Sequence, residues 1–145
     1  MTESEVHRLL AVGALERVEP DPLTAREEVR SAQRHLRSAR RIADDDPTGA
    51  FAIAYDAMRK AIAAHMRAHG LRLTRGMGHH QRTGQYAPAA VDDPSARASI
   101  EAFEGFRLLR NQSEYAALFV EDRDVEELLH HAGVLVSAIL VDVGA

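Results

Sequence analysis

Arg110 and Asn111 stand side by side in Leu108-Leu109-Arg110-Asn111-Gln112-Ser113-Glu114-Tyr115, with Tyr115 five positions after the arginine. Phe103 and Phe106 precede Arg110 by seven and four residues, so on a helix all three share one face. A guanidinium drawn onto an apolar face is costly unless it is paired or used. Two uses are open: a structural ion pair with Glu104 or Glu114, or a site that binds phosphate.

A second constellation is a run of arginines. Arg26, Arg30, Arg34, Arg37 and Arg41 follow one another at steps of four, four, three and four, which on a helix makes one cationic stripe. Such a stripe attracts a polyanion such as RNA through phosphate contacts without reading sequence. It serves equally as an ordinary solvated face. Of the 18 basic residues only Lys60 is lysine, a bias that a GC-rich genome also produces.

The chain has eight histidines. His65 and His69 have the four-residue spacing that lets a helix chelate a metal. Met66 stands where metalloprotease helices carry a glutamate, and no carboxylate is obviously placed to finish a site. The expected fates are therefore core packing and loop capping, with neither metal nor cofactor. His79 and His80 suit either helix capping or general-base work. Ser113 and Ser137 lack the elbow motif of a serine nucleophile, and Gly76-Met77-Gly78 lacks the spacing of a nucleotide fingerprint.

The elements that must position these residues are helical. A chain of 145 residues without cysteine is expected to form one domain, 1–145, with a core of its own and no disulfides. A net charge of −4 argues against a dedicated duplex-binding protein. The N-terminal residues lack a basic stretch followed by an apolar core, and the longest apolar run, 134–141, is far too short to span a bilayer. The expectation is a cytoplasmic protein with no membrane partner.

Apolar spacing predicts a short helix over 3–16, ended by Pro20 and Pro22. A helix over 24–43 opens on the capping box Thr24-Ala25-Arg26-Glu27. The clearest pattern covers 47–69: Asp46 caps, Pro47 starts, Phe51, Tyr55, Met58, Ile62 and Met66 face inward, and Gly70 terminates. The irregular stretch 71–94 has room for a short helix near 79–87. A further helix runs from Asp93-Pro94 to the arginine, and a last one follows the acidic residues of 120–124. No strand pattern competes. The predicted fold class is all-α, an up-and-down helical bundle of about five helices, with 1–22 as N-terminal helix and turn and 24–144 as core bundle.

Three stretches in this order resemble the HEPN family (higher eukaryotes and prokaryotes nucleotide-binding), in its small stand-alone prokaryotic form. Residues 31–36 through 46–50 resemble the family's opening helix and turn, and 54–62 its second core helix. Arg110-Asn111 to Tyr115 resembles its signature, R-N-x-x-x-H. The resemblance implies a homodimer that brings two signatures into one cleft. It also implies a metal-independent endoribonuclease, often a toxin paired with a nucleotidyltransferase-type antitoxin. By that likeness Arg110 contacts the scissile phosphate and Asn111 supports it.

Tyr115 occupies the place of the family's proton-transferring histidine. A tyrosine near its usual pKa of about 10 is a poor base at neutral pH, though it donates hydrogen bonds and stacks on bases. His79 or His80 would then be the displaced base. The alternative is a catalytically inactive HEPN module that binds nucleotide or a protein partner.

Overall fold

At the centre lies the helix with the clearest pattern, Pro47–Ala68. Its alanines at 50, 54, 57, 61 and 64 are fully buried, and Phe51, Tyr55, Met58 and Ile62 fill the space between neighbouring helices. Small residues along one stripe let other helices approach closely. Asp46 caps the start, its carboxylate accepting the Gly49 amide at 2.9 Å, and Pro47 occupies the first turn.

The computed structural model describes residues 3–75, 79–91, 93–115 and 120–144. Of the described residues 78% are helical, and the six α-helices among them make an all-α bundle. They are α1 (Glu3–Ala11), α2 (Pro22–Ile42), α3 (Pro47–Ala68), α4 (His79–Ala90), α5 (Arg97–Tyr115) and α6 (Asp122–Asp142). A 3-10 turn, Pro94–Ala96, leads into α5, with Asp93 accepting from the Ser95 amide at 2.9 Å. α3 packs chiefly on α2 and α6, and also touches α5 and α4. Among the described residues no helix is long and apolar enough to cross a membrane.

Three sequence expectations need correction. The first helix stops at Ala11, and Leu15–Arg17 instead forms a strand, β1, pairing antiparallel with Leu71–Leu73, β2. The register sets Leu15 against Leu73 and Glu16 against Arg72, whose guanidinium reaches Glu16 at 2.7 Å. Leu15, Leu71 and Leu73 point into the core. Three-residue strands are too short to show a period-2 pattern.

α2 begins at Pro22, with Asp21 rather than Thr24 as its cap: the Asp21 carboxylate accepts the Thr24 amide at 3.1 Å. The helix carrying the arginine begins at Arg97, after the turn, and runs on to Tyr115, so Arg110 and Asn111 lie inside it rather than at its end. The six helices among the described residues fit the expected bundle of about five, the short helix expected near 79–87 being α4. Gly70 does terminate α3, at φ +69°. A methyl there would sit 2.7 Å from the Val18 carbonyl oxygen, so the turn into β2 requires glycine on two grounds.

Candidate functional site

The face predicted on α5 is present. Phe103 and Phe106 are buried, and Phe103 stacks on Tyr55 of α3 with ring centroids 5.5 Å apart. Two turns along α5, the Arg110 guanidinium carbon lies 5.2 Å from the centroid of the same Tyr55 ring. A planar cation over an electron-rich ring is attracted by its quadrupole and fixed in orientation, at about 0.5–2 kcal/mol. Phe106 meets Phe51 edge-on at 6.3 Å, closing the apolar layer beneath. Asn111 is half-buried beside the arginine.

The surroundings are cationic. Burial pushes the Tyr55 phenol up to about 12, although Arg110, Arg59 and Arg107 all pull it down. The phenol therefore stays protonated, and its ring is a platform rather than a base. Glu104, a partner considered for Arg110 from sequence, makes a bidentate pair with Arg107, one bond being 2.9 Å. The Arg107 hydrogen bond holds Glu104's carboxyl below its usual range. Arg59 binds Asp56 at 2.6 Å. Tyr115 is the last residue of α5; its side chain, and that of Glu114, lie outside the described residues.

α4 packs on α5, and a methyl at Gly84 would come within 3.4 Å of Phe103 and Glu104, so the two helices cross there. His80 lies one turn before that crossing. His79 and His80 have backbone positions in α4, and their side chains fall outside the described residues.

The arginine stripe divides into two sets. Arg26 donates to the Val143 carbonyl oxygen at 3.1 Å, closing the C-terminus of α6, and Arg30 pairs with Glu27 at 2.8 Å. Arg34, Arg37 and Arg41 are exposed, and among the described residues none of them forms an ion pair. Arg37 and Arg40 line a groove of about 770 Å³ between α2 and α6, whose apolar side includes Val134, Ala138 and Val141. Among the described residues α2 and α5 both pack on α3 and do not touch each other, so the stripe and Arg110 are carried by helices that are not neighbours.

One constellation was missed in the sequence. His65 Nε2 and His69 Nε2 lie 3.1 and 3.0 Å from Asp142 Oδ2, which α6 brings in from 73 residues beyond His69. The four-residue spacing was legible, but the carboxylate that completes the set is a product of α3–α6 packing. His65 is also 2.8 Å, through Nδ1, from the fully buried Tyr86 hydroxyl of α4. Burial depresses the His65 pKa to about 4, with His69 acting the same way and Asp142 opposing.

A second pair, Ser99 Oγ and His131 Nδ1, lies at 2.9 Å between α5 and α6. Ser99 is only 2% exposed, which bars it from attacking a substrate and leaves it a structural link.

Set against family models, curated proteins and solved structures, the chain matches none of them.

Proposed function

We propose that the protein is an RNA- or nucleotide-binding member of the HEPN type, acting as a homodimer in the cytoplasm, with Arg110 as its phosphate-contacting residue. The observation that carries this is the Arg110 guanidinium held over the Tyr55 ring on the Phe103–Phe106 face. A guanidinium held beside a ring carries its donors in one plane, the fork geometry that matches a phosphate. Asn111 beside it supports the bound phosphate, and Arg107 and Arg59 add positive field. Arg34, Arg37 and Arg41 supply sequence-independent phosphate contacts.

In the enzymatic form of this proposal the chain is a metal-independent endoribonuclease, a toxin held by a nucleotidyltransferase-type antitoxin. The ribose 2′-hydroxyl attacks the adjacent phosphorus to form a 2′,3′-cyclic phosphate, the P–O5′ bond breaks, the departing 5′-oxygen takes a proton from water, and Arg110 neutralises the charge developing on the phosphoryl oxygens. A histidine from the start of α4, His79 or His80, takes the proton in place of the signature histidine. The packing of α4 on α5 supports that role. Tyr115 in the signature position favours a second reading, a binding module without catalysis.

Incubating labelled RNA with the protein in excess chelator decides between them. Cleavage that survives the chelator and is lost in Arg110→Ala establishes the nuclease. RNA retained without cleavage, and released in Arg110→Ala, establishes the binding module. Binding unaffected by Arg110→Ala removes Arg110 from the site. Light scattering that shows a monomer at micromolar concentration removes the two-signature cleft.

A further inference from the structure

We propose that His65, His69 and Asp142 bind one divalent transition-metal ion of the zinc class, joining the end of α3 to the end of α6. One donor atom from each residue can be chosen so that all three lie within 4.8 Å of one another. In tetrahedral zinc, with bonds of about 2.0–2.2 Å, neighbouring donors stand roughly 3.3 Å apart. The two Nε2–Oδ2 distances, 3.1 and 3.0 Å, are already close to that edge. The imidazole rings lie with centroids 4.3 Å apart, both turning Nε2 toward the same carboxylate oxygen.

The donor set chooses the ion. Two imidazole nitrogens and one carboxylate oxygen suit zinc, cobalt or nickel rather than magnesium or calcium, which prefer oxygen. Three protein donors leave a fourth position for water. His69 and Asp142 are partly exposed, at 34% and 45% of their side chains, which gives the ion a path from solvent. His65 is buried, which anchors the inner side of the site within the α3–α6 packing.

Tyr86 completes the arrangement. Its hydroxyl lies 2.8 Å from His65 Nδ1, and with an ion on Nε2 it would accept from Nδ1–H, fixing the tautomer that presents a lone pair on Nε2. Without metal, a proton on each Nε2 bridges to Asp142 instead, and Tyr86 donates to Nδ1. The same groups therefore hold either two protons or one ion. The centre lies ten residues along α3 from Tyr55, about 15 Å at the rise of an α-helix, so it is distinct from Arg110.

The test uses the untagged full-length chain, stripped of metal, titrated with zinc in a calorimeter and then melted with and without it. One zinc per chain is expected, with a higher melting temperature because the ion binds only the folded form. His69→Ala and Asp142→Asn, both at partly exposed positions, should each lose at least tenfold in affinity. Tyr86→Phe, which removes only the hydrogen bond to His65, should lose about 10–100-fold. Zinc that fails to bind the wild type overturns the proposal. So does unchanged affinity in both His69→Ala and Asp142→Asn, which would place the ion on other histidines. Magnesium binding as tightly as zinc overturns the transition-metal assignment. None of these outcomes depends on RNA binding or cleavage.

Discussion

Arg110 shows how much a single side chain discloses before its structure is known. Its shared face with Phe103 and Phe106 follows from spacing alone. The ring it rests on does not, because Tyr55 comes from a different helix and the contact spans 55 positions of sequence. A lysine ammonium is also attracted to the ring but offers no planar fork of donors, so on the proposed function Arg110→Lys should keep the charge and lose phosphate affinity by tenfold or more in a filter-binding assay. Equal affinity for the two proteins would mean that charge alone operates there. At His131 the useful variable is pH. Burial lowers its pKa from 6.5, with His130 adding to the shift and Glu127 opposing it. As pH falls, the unfolded chain takes up this proton first, so the stabilisation is complete above about 6.5 and is lost as pH drops through the lower folded value. Thermal melts at pH 7 and pH 5 should therefore show a larger loss for the wild type than for His131→Gln. Identical losses would show that the Ser99–His131 link carries none of the acid sensitivity.

Among the elements, α3 was the most legible, because its cap, its first-turn proline, its apolar spacing and its terminating glycine all point the same way. The beginning of α2 was less so. A capping box at Thr24 and an aspartate at Asp21 compete, and the aspartate prevails because Pro22 suits the first turn. The Asp46 cap makes a quantitative case. A methyl at Gly49 would run into the Asp46 carboxylate, so glycine there accommodates the cap at the cost of helix propensity. Asp46→Ala should destabilise by about 1 kcal/mol. Gly49→Ala should destabilise in the wild type by displacing the cap. In the Asp46→Ala background it should stabilise, by up to about 1 kcal/mol. Urea denaturation of the four proteins measures that coupling, and strict additivity would refute the clash.

For the molecule as a whole, the bundle class was evident from periodicity, while everything built between distant elements was not. The separation of the α2 stripe from α5, the meeting of Asp142 with two histidines, and the β1–β2 ladder all depend on which helices become neighbours. The stripe's division also sets a whole-molecule prediction. Replacing Arg34, Arg37 and Arg41 with glutamine should flatten the salt dependence of single-stranded RNA binding by about 2 in the log–log slope, at roughly 0.7 per phosphate. Arg26→Gln should leave the slope alone and lower the melting temperature, since that guanidinium closes α6 on the Val143 carbonyl. The ladder has a further consequence, for the order of events during folding. Leu15–Arg17 reaches its partner only after α2 and α3 have turned back on themselves, since Leu71–Leu73 lies beyond both. β1 therefore waits, although it precedes its partner in the chain, and its pairing seals a loop around the α2–α3 hairpin late in the process. The Val18 and Thr74 amides, which donate across the ladder to the Gly70 and Ala14 carbonyls, should gain protection from solvent exchange after the α3 amides and surrender it before them.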